Sequence, residues 1–140
     1  MSKPVKLPKG YKPTKRESYM NAKQLEYFRL KLLDWRQSLL EESQETIDNM
    51  REAARDVSDE AERASRETEI TFELRTRDRY RKLLRKIDQA LERIEEGTYG
   101  YCEETGDPIG IERLEARPIA TLSIEAQERR ERMEQQYGEH

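Results

Sequence analysis

Three groups of residues in this 140-residue chain have types and spacings that could do chemistry. Carboxylates crowd residues 56–62, where Asp56, Asp59 and Glu62 stand among small residues. Such oxygens suit hard cations such as Mg²⁺, or basic groups on a partner. Seven cations follow at Arg75, Arg77, Arg79, Arg81, Lys82, Arg85 and Lys86, and they suit phosphates or acidic surfaces. At helical spacing these seven cannot share one face, so some are expected to pair with glutamates of the preceding helix. The third group is a single thiol, Cys102, which can close no internal disulfide and build no multi-cysteine metal site. No catalytic set accompanies them. The sole histidine is His140, Cys102 has no histidine near it in sequence, and there is no Gly-rich phosphate loop. The chemistry on offer is binding rather than bond-making.

The first two groups lie on the stretch that dominates the chain, residues 21–96. Asn21 with Gln24 three residues on predicts an N-cap and capping box. Leu25, Phe28, Leu32, Trp35 and Leu39 then step by three and four, the mark of a heptad seam. Shifted by one residue, the seam is expected to continue through Leu40, Ser43, Ile47, Met50, Ala54 and Val57. A second helix is predicted to answer it with Ala61, Ala64, Phe72, Tyr80, Leu84, Ile87, Leu91 and Ile94. Small residues would then face small ones at the far end, and large face large at the base. Two separate helices or a parallel dimeric coiled coil satisfy the same periodicity, but the short acidic connection favours an antiparallel hairpin. About 36 residues per arm at a rise of 1.5 Å would make a rod roughly 50 Å long. Gly97 is placed to end the second helix.

The flanks read as support. Residues 1–20 hold Pro4, Pro8 and Pro13 and a local charge of +5, and are expected to form an ordered or semi-ordered basic arm. Residues 97–124 turn at Gly106-Asp107-Pro108 and offer Ile109, Ile111, Leu114, Ile119, Leu122 and Ile124, enough for a very small core. Residues 125–140 contain a charged, helix-compatible stretch at 125–136 that packs back on that base. Composition agrees with a solvated coiled coil: 41% charged, 34% hydrophobic. A net charge of −3 argues against binding polyanions by bulk electrostatics. No apolar run approaches the roughly 18 residues of a membrane span, so the expected compartment is the cytoplasm.

The stretch ELRTRDRYRKLLRKIDQALERIEEGTYGYCEETGDPIGIERLEARPIATLSIEA, with its pattern GYC…TG..IG..RLEARP, resembles the DksA/TraR family. The likeness covers roughly residues 22–136 and is strongest over 73–124. It implies a mainly α fold: a long antiparallel coiled-coil hairpin on a small zinc-finger-like globular base, with a C-terminal helix. It also implies a bacterial regulator that binds RNA polymerase rather than DNA and inserts its hairpin through the secondary channel. Such a regulator works with ppGpp in the stringent response, repressing ribosomal RNA promoters and favouring some amino-acid biosynthesis promoters. By this resemblance the protein is not an enzyme and acts as a monomer.

The family's site residues carry over one by one. Its D-x-x-D-x-A tip pattern falls on Asp59, Glu62 and Ala64, so the second Asp is Glu here. A literal copy lies three residues earlier, at Asp56, Asp59 and Ala61. Arg79 matches a position that contacts polymerase near the channel entrance. Leu83, Lys86 and Arg117 match positions that bind ppGpp together with polymerase, and a fourth, normally Lys, is Gln127. With two cations left, little ppGpp binding to the isolated protein is expected. The family's zinc ligands fall on Cys102, Thr105, Ser123 and Ala126. Ala126 has no donor and hydroxyls are poor zinc ligands, so no zinc is expected. Two other readings remain: a Gre-like transcript-cleavage factor that positions Mg²⁺, and a nucleic-acid binder using the basic arm. The first would shorten RNA in stalled elongation complexes. The second would bind duplexes with steep salt dependence.

Overall fold

The computed structural model describes residues 5–55 and 62–138, and of residues 62–65 the backbone alone. It is mainly helical. The described residues form α1 (Ala22–Ala54), α2 (Glu62–Glu96), α3 (Ile111–Ala116) and α4 (Ile124–Gly138). Residues 56–61, with Val57 and Ala61 of the expected seam, lie outside the described residues, as does His140. None of the described helices is long and apolar enough to cross a membrane. The chain divides into two compact units, one of residues 33–88 and one of residues 1–32 with 89–140.

Unit 33–88 pairs parts of α1 and α2 in antiparallel register. Arg36 meets Asp88 at 2.7 Å, Thr46 meets Tyr80 at 3.2 Å, and Arg51 meets Glu73 at 2.9 Å. As one partner advances along α1 the other retreats along α2. Leu39, Ile47 and Ile87 are buried between the helices, with Trp35, Ser43, Met50, Ala54, Tyr80 and Leu84 half-buried. The seam needs no shift: it steps from Leu39 to Ser43 to Ile47, and Leu40 stands 39% exposed. A four-residue step keeps Ser43 nearly above Leu39, whereas Leu40 is turned about 100° away.

Phe72 is the larger correction. It is 53% exposed, and the positions turned inward around it are Glu69, Glu73 and Thr76. Spacing explains this. Counting back from Tyr80 by four, three and four gives Thr76, Glu73 and Glu69, so the seam passes Phe72 by. The polar seam is satisfied. Glu73 binds Arg51 across the helices and Arg77 one turn along its own, at 2.9 and 3.1 Å. The hydrogen bond from Arg77, with burial opposing it and the charge of Arg51 assisting it, holds the Glu73 carboxyl below its usual range.

The other unit is built around Phe28, Leu32, Ala90, Ile94, Tyr99, Leu114, Leu122 and Ala126, all buried. Asn21 caps α1, its Oδ1 accepting the Gln24 N–H at 2.9 Å. The capping box is one residue longer than expected. Gln24 Oε1 accepts from Met20 N at 2.7 Å, because Asn21 N already donates to Ser18 O. Gly97, at φ 79°, ends α2 and lets Thr98 N reach back to Arg93 O at 2.9 Å. Beyond it, an isolated bridge of Tyr101 and Pro108 closes a small knuckle, and Tyr99 donates its hydroxyl to Pro118 O at 2.8 Å.

Within the described residues the basic arm is fastened by its aromatic side chains. Tyr19 donates to Gly100 O at 2.7 Å and accepts from Gly110 N at 2.9 Å. Tyr11 stacks on Tyr27, and its hydroxyl binds both oxygens of Glu17. Burial first, then that carboxylate, pushes the Tyr11 phenol up to about 12. The cations Lys6, Lys9, Lys12, Lys15 and Arg16 are left exposed.

Candidate functional site: a cationic helix face and a knuckle without a zinc donor set

The cation run of α2 resolves into one ordered stripe. Arg75, Arg79, Lys82 and Lys86 are spaced four, three and four residues apart, which stacks them on one face. With Asp78 and Leu83 they line a groove of about 370 Å³ within unit 33–88. Lys82 pairs with Asp78 at 3.0 Å, while Arg75, Arg79 and Lys86 make no ion pair among the described residues. Arg79 sits over the ring of its neighbour Tyr80, 5.9 Å from the centroid. The expected pairing of these cations with glutamates of α1 is not what forms. The cross-helix pairs run the other way, with the arginine on α1 and the carboxylate on α2. The stripe is therefore left to solvent, three free cations in a shallow trough with one aliphatic side chain, Leu83. Carboxylates and phosphates both fit that chemistry.

The remaining candidates fall elsewhere. Asp59 lies outside the described residues. Glu62 and Ala64 open α2, with their side chains outside them. Arg117 belongs to the other unit. It is exposed and caps α3, its N–H donating to Arg113 O at 2.7 Å. Gln127 is half-buried on α4 and donates to Glu131 at 2.9 Å. Arg75 and Lys82, members of the seven-cation run with no individual role assigned from sequence, join Arg79 and Lys86 on one face through the four-three-four spacing.

The knuckle tests the zinc expectation by its donors. Cys102 is buried, 3% exposed. Burial pushes its thiol up, but hydrogen bonds from the Thr105 side chain and from the Ser123, Thr105 and Glu104 amides outweigh it and bring the pKa down to about 6. The other three positions are engaged otherwise. Thr105 Oγ1 accepts from Asp107 N at 3.2 Å, Ser123 Oγ caps α4 by accepting from Ala126 N at 3.2 Å, and Ala126 is a fully buried methyl. No cluster of three His, Cys, Asp or Glu side chains that could hold a metal occurs among the described residues. A tetrahedral structural zinc takes four thiolate or imidazole donors, and this set supplies one. The knuckle closes instead through Cys102 N to Asp107 O, Glu103 N to Thr121 O and Ile109 N to Gly100 O, each within 2.9 Å. Arg113 Nε to Leu122 O and the Arg130–Glu104 pair tie in the segment that carries α4.

The described residues thus give paired helices with a cationic face, joined in sequence to a small knuckle. Comparison with known proteins makes the class definite. Residues 24–94 match the family model of the DnaK suppressor protein DksA N-terminal domain, and residues 97–132 match the prokaryotic dksA/traR C4-type zinc finger. The chain belongs to the DksA/TraR family. The RNA polymerase-binding transcription factor DksA of Caulobacter vibrioides is 59% identical over 124 residues, 89% of this chain and 87% of that protein. Its counterpart in Escherichia coli K12 is 47% identical over 109 residues, 78% and 72% of the two chains. Among solved structures, transcription factor DksA2 from Pseudomonas aeruginosa superposes with a TM-score of 0.73 at 48% identity, covering 84% of this chain and 90% of that one.

Proposed function

We propose that this protein regulates transcription by binding bacterial RNA polymerase through its secondary channel, and that it does so in the cytoplasm, as a monomer and without enzymatic activity. The observation that carries the reading is the family match across residues 24–132, with a 59% identical relative named for polymerase binding. In this reading Asp59 and Glu62, with Ala64, work near the polymerase active centre. Arg79 contacts polymerase outside it. Leu83, Lys86 and Arg117 take up ppGpp together with polymerase groups. Two cations are few for two pyrophosphates, so the isolated protein binds ppGpp weakly, and Gln127 lowers the dependence on it. The targets are ribosomal RNA and amino-acid biosynthesis promoters.

Multi-round transcription from a ribosomal RNA promoter with cognate polymerase tests this. The wild-type protein is expected to inhibit, and ppGpp to deepen the inhibition. The double substitution Asp59→Asn with Glu62→Gln is expected to remove inhibition while polymerase binding persists. Folded wild-type protein with no effect on cognate polymerase would sink the reading.

The knuckle is proposed to be zinc-independent, on the strength of its donor set. Metal analysis of the purified protein is expected to find no stoichiometric zinc, and chelator to leave the melting temperature unchanged. A zinc-built base would lose its fold with its metal, so a chelator-induced drop decides against the proposal.

A further inference from the structure

Phe72 extends the cationic stripe. Phe72, Arg75, Arg79, Lys82 and Lys86 are spaced three, four, three and four residues apart, and thus continue one face of α2. The ring is 53% exposed on a helix whose other outward positions are mostly charged. It also forms one wall of an open, mainly apolar groove of about 390 Å³ between the helices, together with Met50, Ala53, Ala54, Ile70 and Thr76. The small side chains of Ala53 and Ala54 leave that space beside the ring. An aromatic residue next to a recess, continued by a row of arginines and lysines, has the composition of an interface anchor rather than of a solvated surface.

Two other large apolar residues are nearby: Ile70 lines the same groove but stands off the stripe, and Leu74, which lines neither, is the internal control. Ile70 and Leu74 are 56% and 61% exposed. One turn apart, they lie on the opposite flank of α2, which at 100° per residue points about 160° away from Phe72 and off the stripe. If exposure alone made a docking residue, Leu74 would outrank Phe72. Only Phe72 combines the recess with the cations.

We propose that Phe72 and its groove form the apolar anchor of a docking surface whose charged part is Arg75, Arg79, Lys82 and Lys86, and that its occupant is an acidic segment of RNA polymerase presenting a large apolar side chain. Charge complementarity selects the occupant. The stripe carries four cations and one carboxylate, Asp78, which is taken by Lys82; of the two carboxylates that line the groove, Glu69 and Glu73, the second is taken by Arg51 and Arg77. The inference rests on the polymerase-binding reading above and adds the residue, the recess and the chemistry of the partner.

The test measures the affinity of full-length protein, labelled away from α2, for purified cognate RNA polymerase at several salt concentrations. Phe72→Ala is expected to weaken binding about tenfold or more, the scale of a hot-spot aromatic. Leu74→Ala is expected to stay within about twofold of wild type, as a residue outside the contact. The double variant Arg75→Gln with Lys82→Gln is expected to flatten the salt dependence. Phe72 is exposed, so its variant keeps the wild-type melting temperature, and circular dichroism checks this. Wild-type affinity in Phe72→Ala, or equal losses in Phe72→Ala and Leu74→Ala, overturns the anchor. Unaltered salt dependence in the double variant overturns the acidic partner. Failure of the wild-type protein to bind polymerase overturns the proposed function itself, and this surface with it.

Discussion

Phe28→Ala is expected to cost about 3–5 kcal/mol of stability, the range for emptying a large aromatic site in a packed core. Phe28 has no exposed surface, and its ring centre lies 5.7 Å from that of Tyr99 and 5.2 Å from that of Tyr27. Tyr99 is itself fixed by its bond to Pro118, so it cannot swing into the vacated space without abandoning a buried hydroxyl. The wall on that side stays rigid and the cavity stays open. For a chain of this size the loss corresponds to a melting point about 10–20 °C lower. Thermal unfolding followed by circular dichroism reads it directly. A drop of only a degree or two would mean that the base relaxes around the gap, and that the ring cluster contributes far less than its burial implies.

The first seam was legible because it is local. Leu25 to Leu39 repeat at three and four in large apolar residues, and a helix has only one way to bury such a row. Farther along, the rule fails for a physical reason. Ile70, Phe72 and Leu74 are the large apolar residues of their segment, yet all three are exposed while Glu73 and Thr76 turn inward. Residue type alone selected Phe72 for the seam. Register, set by Tyr80 against Thr46 and by Glu73 against Arg51, decides otherwise. The residue displaced from the core is the one that marks the proposed docking face.

The knuckle was legible at a different level. The spacing of Cys102, Thr105, Ser123 and Ala126 matched a metal site while their chemistry did not, and both facts are in the sequence. What replaces the missing donors was not. Ser123 becomes a helix cap and Ala126 a core methyl, roles that exist only once α4 is placed. The arm was least legible. Tyr19 finds its partners 81 and 91 residues away, and no periodicity announces a contact of that range. The seven-cation run falls between these cases: its ordering into a stripe follows from spacing alone, but its freedom from cross-helix pairing depends on where the carboxylates of α1 and α2 meet.

Gly100→Ala is the substitution that tests whether the arm and the knuckle are one structure. Gly100 sits at φ 92°, a conformation that costs an L-residue about 1–2 kcal/mol. A methyl there would also stand 2.8 Å from Met20 Cγ, 3.0 Å from Met20 Sδ and 3.3 Å from the Tyr19 hydroxyl. Neither neighbour yields easily. Met20 is buried and already at φ 53°, and the Tyr19 hydroxyl is held between Gly100 O and Gly110 N. Overpacking of this kind adds about 1–3 kcal/mol, for a total of roughly 2–5. Gly97→Ala provides the comparison, because its φ of 79° carries similar backbone strain with nothing within 4 Å of the new methyl. The excess loss in Gly100→Ala over Gly97→Ala therefore measures the arm contact alone. Amide hydrogen exchange should show where it falls: faster exchange at Asn21 and Gly110, whose N–H groups depend on the docked arm, with Leu39–Ile47 in the paired helices unchanged. Equal melting points for the two alanine variants would mean that Met20 and Tyr19 rest on the knuckle without supporting it.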